Sequence, residues 1–133
     1  MVWTRFMDMH SGGGSKEDFE YLYIEAPQAE AELVFYNRFG HNPYRVTCTC
    51  CGEDYSITEE PTLEVATAYE RGCDWDDEAE GYVERPNTRR WAREYVTLDQ
   101  YLAQPGVAVI RAEDIKPEER IGTLPRQGYV WID

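Results

Sequence analysis

Residues 19–40 read FEYLYIEAPQAEAELVFYNRFG, and this stretch decides the fold. Its first part, Phe19–Ile24, is rich in aromatic and branched side chains, which favours a β-strand. Pro27 suits the first position of a helix, because the missing proline N–H is not needed there. We expect this helix to run to about Phe39 and to end at Gly40.

The predicted helix has one side suited to packing on a sheet. Ala29, Leu33 and Tyr36 share a face at spacings of four and three residues, and we expect that face to be buried. Upstream, residues 2–9 predict another strand. It would pair with residues 19–24 as a hairpin around the glycine-rich connection.

Short strands and helices are predicted along the rest of the chain. The strands are expected at residues 45–49, 55–58, 107–110 and 128–132, and the helices at 61–71, at 87–95 and from Thr97 to just before Pro105. Two strands open the chain and one or two close it, with helices between them. This order predicts a single α+β domain over residues 1–133, with a small, mainly antiparallel sheet and three to four helices.

Local signals support two of these helices. Leu63, Ala66 and Tyr69 would form the buried face of the helix that Gly72 ends. The motif Thr97-Leu98-Asp99-Gln100 is a capping box, which marks a helix start. Residues 73–81 are acidic and short of apolar side chains, so we expect them to be irregular.

Length and composition exclude several classes of protein. At 133 residues, with 42% hydrophobic and 14% aromatic residues, the chain can bury one core and is not globally disordered. No apolar run approaches the roughly 20 residues of a membrane-spanning helix, and the first residues lack the pattern of a secretory signal. We therefore expect a soluble cytoplasmic protein whose four cysteines are thiols or metal ligands.

The charge is strongly negative and unevenly distributed. Asp and Glu number 26 against 13 Lys and Arg, for a net charge of −13. Residues 53–80 hold eleven of the acids and a single base, Arg71. Such a field repels nucleic-acid phosphates and attracts basic protein surfaces. The simpler alternative is that these charges form a solvated face.

The cysteine cluster is the one local motif with a chemical mechanism. Cys48 and Cys51 have the spacing with which a tight turn presents two thiolates to one zinc ion, and Gly52 permits the backbone of such a turn. With a strand on each side, they would form a knuckle hairpin like half of a zinc ribbon. Cys73 and His41 are the candidates for the remaining ligands. The alternative is that the cysteines are free and bind no metal.

A basic and aromatic segment follows the acidic one. Its candidate binding residues are Arg89, Arg90, Trp91 and Arg93. Arginine beside an aromatic ring is a composition favoured at protein interfaces and on single-stranded nucleic acid. Pairing with the many carboxylates of the chain is the competing interpretation.

The sequence contains few candidate catalytic residues. His10 and His41 are the only imidazoles, and neither lies in a recognisable catalytic motif. A surface rich in acids is not a pair of carboxylates with separated pKa values. We therefore predict no catalytic residue and no enzymatic activity.

Several motifs resemble those of a known group of proteins. They are FMDMHSGGG (6–14), YIEAP (23–27), FYNRFGHNP (35–43), VTCTCCG (46–52), DIKPEER (114–120) and GYVW (128–131). In them the chain resembles small acidic proteins encoded by tailed bacteriophages, over most of its length and least clearly at residues 72–94. The resemblance implies expression in the cytoplasm of an infected bacterium and an accessory role. The group has no assigned activity and supplies no catalytic residues.

Three functional hypotheses result, in order of preference. The first is an accessory protein that binds a basic bacterial protein, such as a defence nuclease or CRISPR effector, by imitating nucleic acid. Its binding residues would be Asp74, Trp75, Asp76, Asp77, Glu78 and Glu80. The second is a zinc-ribbon adaptor in phage transcription or replication that touches nucleic acid, and the third is a small metal-dependent nuclease.

Overall fold

The computed structural model describes residues 2–8, 19–44, 46–48, 55–89, 93–125 and 130–132, with the backbone alone for 46–48 and 130–132. The glycine-rich connection, Cys51, Arg90 and Trp91 lie outside these ranges. The predictions that concern their structure are therefore neither confirmed nor contradicted.

The described residues form strands and helices in the α+β order that the sequence predicts. The strands are β1 (Trp3–Asp8), β2 (Tyr21–Ile24), β3 (Val46–Cys48), β4 (Tyr55–Glu60), β5 (Cys73–Asp76), β6 (Gly81–Pro86), β7 (Val107–Ile110) and β8 (Val130–Ile132). The helices are α1 (Gln28–Phe39), α2 (Leu63–Thr67) and α3 (Leu98–Leu102), with 3-10 turns at Ala112–Asp114 and Pro117–Arg120. None of these helices is long and apolar enough to cross a membrane.

The main sheet has four strands in the order β4-β1-β2-β7. β1 is antiparallel to both β2 and β4, and Phe6 of β1 faces Leu22 of β2 on one side and Ile57 of β4 on the other. β2 is parallel to β7. The pairing predicted for the first two strands is thus confirmed, although the sheet as a whole is mixed.

Side chains along each strand of this sheet alternate between its two faces. Both faces carry apolar side chains, and helices cover both. On one face, Phe6 and Leu22 pack against Val34 and Phe35 of α1, and the rings of Phe6 and Phe35 stack at 5.1 Å. On the other face is a second cluster of buried side chains, which comprises Trp3, Tyr23, Leu63, Ala66 and Tyr101. The sheet therefore separates two hydrophobic cores.

The buried face of α1 is not the one that the sequence predicts. Ala29 is exposed and Leu33 and Tyr36 are half-buried, whereas Val34 and Phe35 are fully buried. The stripe that includes Phe35 carries aromatic rings, and their larger apolar area outweighs the regular spacing of the predicted stripe. The predicted end of the helix is confirmed at Gly40, which has a φ of 77°.

The local signals downstream were partly right. The capping box at Thr97 is present, with hydrogen bonds in both directions between Thr97 and Gln100. The helix predicted for residues 61–71 is shorter, and Tyr69 is 59% exposed rather than buried. Gly72 has a φ of 71° but does not end this helix, which stops at Thr67 with Ala68 as its C-cap, so that prediction is wrong.

Three other predictions are wrong. Residues 73–81 are not irregular, because they form β5 and the turn that leads into β6. The described part of the predicted helix 87–95, residues 87–89 and 93–95, is not helical. The strands beside the cysteine cluster do not form a knuckle hairpin, since β3 pairs with β8 and β4 pairs with β1.

An ion pair lies at the edge of the second core. Arg5 of β1 donates a hydrogen bond to Glu70 Oε1 at 2.9 Å, and the Glu70 side chain is only 3% exposed. Its other oxygen, Oε2, is buried without a hydrogen-bond partner among the described residues. Burial raises the pKa of the Glu70 carboxyl above its ordinary 4.5, and the Arg5 charge opposes this only in part.

The raised pKa of Glu70 has a consequence for stability against pH. Between pH 4.5 and the raised pKa, the folded chain binds more protons at this group than the unfolded chain. Its contribution to the free energy of unfolding therefore falls as the pH rises through that window. We expect Glu70→Gln to remove this fall, so that the variant gains stability relative to the wild type as pH rises, measured by urea denaturation at a series of pH values. Arg5→Gln should make the fall in stability larger, because the Arg5 charge opposes the rise in the pKa of Glu70. A constant difference between Glu70→Gln and the wild type would contradict this assignment.

Candidate partner-binding surface

The acidic segment forms a β-hairpin that projects its most acidic residues at a turn. β5 and β6 are antiparallel, and Trp75 lies opposite Tyr82. Between the strands, Asp76 Oδ1 accepts hydrogen bonds from the backbone N–H groups of Glu78 and Ala79, at 2.9 and 3.3 Å. Short polar side chains of this kind stabilise tight turns. The acidic residues of the turn are thus held in a defined conformation.

A bulge in β6 directs two charged side chains to different partners. The register passes from Cys73 opposite Pro86 to Asp74 opposite Val83, so Glu84 and Arg85 have no counterparts on β5. Glu84 binds Arg71, and Arg85 binds Asp74. The ion pair of Glu84 with Arg71 therefore connects the hairpin to the body of the protein, and that of Arg85 with Asp74 neutralises part of the charge of the hairpin.

The acidic residues divide into paired and unpaired groups. Arg85 lies 2.9 Å from Asp74 and 3.8 Å from Asp76, which reduces the negative charge at the base of the hairpin. Asp77, Glu78 and Glu80 are exposed on the turn, and no ion pair joins them to another described residue. Within the described hairpin, the negative charge without an ion pair is therefore confined to the turn.

Trp75 is held beside these unpaired carboxylates. Its ring is 40% exposed, packs edge-on against Tyr82 with centroids 5.1 Å apart, and donates Nε1–H to Asp77 Oδ1 at 3.0 Å. An exposed, oriented tryptophan is a frequent centre of a protein interface. The turn thus combines a large apolar group with three carboxylates.

The buried guanidinium of Arg71 fixes the hairpin in place. Arg71 is 1% exposed and donates to Thr67 Oγ1 at 2.8 Å, to the carbonyl of Glu64 at 3.1 Å and to Glu84 Oε1 at 2.6 Å. The same Glu84 oxygen accepts the hydroxyl of Tyr95 at 2.6 Å. These bonds lower the pKa of the Glu84 carboxyl below its ordinary value, with Arg71 as the largest cause. The helix, the hairpin and the segment before α3 are all joined at this one group.

A small cleft beneath the hairpin brings the two predicted binding segments together. It has a volume of about 130 Å3, and its lining includes Trp75 and Tyr82 from the hairpin as well as Arg89 and Arg93 from the basic segment. The guanidinium of Arg93 lies 5.3 Å from the ring centre of Tyr69, a cation–π distance. Neither Arg89 nor Arg93 forms an ion pair with another residue in the described ranges. These two arginines thus form no close ion pair in that part of the chain, although the charge of Arg93 opposes the rise in the pKa of the Glu70 carboxyl.

The predicted zinc ligands are placed only in part. Cys73 is buried at the start of β5 as a free thiol, and burial raises its pKa, which favours the neutral form. His41 is half-buried just after α1, and Cys48 is described by its backbone in β3. Among the described side chains no group of three or more could hold a metal ion. With Cys51 outside the described residues, zinc binding stays a prediction.

Few of the residues that build this site are recognisable from the sequence. Arg71 was visible as the single base among eleven acids, and a lone counter-charge in such a segment is a candidate for burial with a partner. Its partner Thr67 lies four residues earlier, one turn away in the predicted helix. Its partner Glu84 could not be read from spacing, because the bulge in β6 sets that contact.

Comparison of the chain with protein-family models, with curated proteins and with solved structures gave no match.

Two arginines on or near the hairpin allow a matched test of this architecture. Arg71→Met should lower the free energy of unfolding by about 2–3 kcal/mol, because three hydrogen bonds of a buried guanidinium are lost, one of them in its ion pair with the exposed Glu84. Arg85→Met should lower it by less than about 1 kcal/mol, because that arginine is mostly exposed. Urea denaturation of both variants measures the difference. Equal losses would contradict the central role of Arg71.

Two glycines with left-handed backbones provide a second matched pair. Gly72 has a φ of 71°, and a Cβ added there would overlap the carbonyl oxygen of Arg93, whereas Gly40 has a φ of 77° and open space around it. Gly40→Ala should cost about 1–2 kcal/mol from its backbone alone. Gly72→Ala should cost about 1–3 kcal/mol more, because the segment before α3 must also move. Similar losses in thermal or urea unfolding would show that the contact with Arg93 is unimportant.

Proposed function

We propose that this chain is an accessory protein that binds another protein through the turn of its β5–β6 hairpin. The observation that carries the proposal is the unpaired group of Asp77, Glu78 and Glu80 beside the exposed ring of Trp75. Carboxylates around an aromatic side chain are suited to a basic surface with an apolar depression. The partner would be a protein whose own basic surface normally binds nucleic acid.

Electrostatics support this choice of partner. The net charge of −13 would accelerate association with a basic surface and would repel free nucleic acid. Attraction of this kind weakens with salt, since the Debye length falls from about 10 Å at 0.1 M to about 3 Å at 1 M. The resemblance to bacteriophage proteins makes a defence nuclease or CRISPR effector in the bacterial cytoplasm the expected partner, and inhibition the expected result.

The rigidity of the hairpin also supports a role in binding. Glu80 has a φ of 53°, a conformation that glycine adopts without strain and glutamate does not. A glutamate in this strained backbone conformation is expected if its carboxylate takes part in binding. The bonds of Asp76 to the turn and of Arg71 to β6 reduce the entropy that would be lost on binding.

Charge reversal at the turn tests the proposal. The chain is immobilised and exposed to nuclease-treated bacterial lysate, and bound proteins are identified by mass spectrometry. We expect capture of nucleic-acid-binding proteins that are released by salt and displaced by added duplex DNA. The variant Asp77→Lys, Glu78→Lys, Glu80→Lys should reduce capture by at least about tenfold.

A second triple variant controls for net charge. Glu113, Asp114 and Glu118 are exposed near the 3-10 turns, and replacing all three by lysine changes the net charge equally. This variant should keep most of the captured protein, and circular dichroism should show that both variants are folded. Unchanged capture in the turn variant, or an equal loss in both, would overturn the assignment of the turn as the binding surface.

A further inference from the structure

A larger cleft lies next to the hairpin and is not used by the proposed turn contact. It has a volume of about 490 Å3 and lies between α2, β6 and α3. This volume is in the range of pockets that hold drug-sized ligands. It shares Cys73 and Tyr82 with the smaller aromatic cleft, so ligands of both clefts would contact the same hairpin.

The walls of the larger cleft are mostly apolar. Val65 and Ala68 contribute from α2 and its end, Val83 from β6, and Leu98 from the start of α3. All except Ala68 are only half-buried, so their apolar surface remains accessible within the cleft. A ligand with an aliphatic portion would remove this surface from water.

The polar groups of the cleft are predominantly carboxylates. Glu64, Glu84 and Asp99 line it, and each of these residues is exposed. Arg71 is the single cation in the lining, and its charge is already matched by Glu84. Glu84 uses only Oε1 in its bonds to Arg71 and Tyr95, and its Oε2 accepts no hydrogen bond from a described residue. The cleft therefore has an excess of negative charge.

Apolar walls with excess carboxylates select a particular class of ligand. Anions are repelled, and a wholly apolar ligand leaves the carboxylates without a partner. An inorganic cation does not use the apolar walls, and no group of three metal-ligating side chains exists among the described residues. An arginine or lysine side chain meets both demands, because it has an aliphatic stem and a cationic head.

We propose that this cleft binds a basic side chain, together with its neighbours along a peptide segment, from the protein that the hairpin turn contacts. The stem lies along Val65, Val83 and Leu98, and the cationic head lies among the carboxylates of Glu64, Glu84 and Asp99. The identity of this partner rests on the proposed function. The cleft would add specificity for a basic residue to the attraction supplied by the turn.

Short peptides test the cleft without the partner. The probe is acetyl-Leu-Arg-Leu-amide, titrated into the isotope-labelled chain and followed by the backbone amide signals of Val65, Val83 and Leu98. The control probe replaces arginine by citrulline, which keeps the shape and removes the charge. We expect saturable shifts with the arginine peptide and about tenfold weaker binding of the citrulline peptide.

Matched variants test whether the arginine peptide binds in the cleft. Glu64→Gln combined with Asp99→Asn should weaken the arginine peptide about tenfold, whereas Glu113→Gln combined with Glu118→Gln should leave its affinity unchanged. Equal affinity for the two peptides, or no shifts at the cleft residues, would overturn the proposal.

The two proposals fail in distinguishable ways. The turn variant Asp77→Lys, Glu78→Lys, Glu80→Lys should still bind the arginine peptide, because none of its changes lines the larger cleft. Protein capture through the turn without peptide binding would overturn the cleft proposal alone. If the peptide binds but the turn variant captures as much protein as the wild type, the turn proposal alone is overturned.

Discussion

The guanidinium of Arg71 is buried among acceptors from three parts of the chain: the end of α2, the first turn of the same helix, and Glu84 on β6. A cation that has lost its water must be matched by charge and hydrogen bonds, or burial becomes strongly unfavourable. Because Arg71 meets this requirement with Glu84, the hairpin is bonded to α2. The requirement also explains the bulge, since only an irregular β6 brings Glu84 to Arg71 and Arg85 to Asp74.

The position of the hairpin determines which groups each side of it presents. The turn carries unpaired carboxylates and Trp75 outward, the smaller cleft contains arginines and aromatic rings, and the larger cleft combines apolar walls with carboxylates. All of these features depend on the same connection to α2 and to the segment before α3. That segment is held by backbone hydrogen bonds from Asn87 to Gly72 and from Val96 to Arg71, at 2.9 and 3.0 Å.

The main sheet supplies the rigid base on which this arrangement rests. Its first face is filled by α1 with stacked and edge-on aromatic rings, beside the buried hydroxyl of Thr4, which donates to the carbonyl of Ala26 at 2.9 Å. Its second face includes polar groups, among them Glu70 and the hydrogen-bonded hydroxyls of Tyr23 and Tyr101, 2.8 Å apart. Burial raises the pKa of both tyrosines, so they stay neutral. The candidate surface is built on the side of α2, whose Leu63 and Ala66 belong to this second core.

Local chemistry was sufficient to determine several parts of this protein from its sequence. The strand and helix of residues 19–40, the ending at Gly40, the capping box at Thr97 and the α+β order depend on short-range interactions that spacing reveals. The acidic character of residues 53–80 was equally plain. Tertiary structure alone decided which face of α1 is buried, and it placed the strands beside the cysteines in different sheets. It also paired two acids of the hairpin with Arg85 and left those of the turn without an ion pair to a described residue. These outcomes depend on contacts between residues distant in sequence, whose energies no local pattern contains.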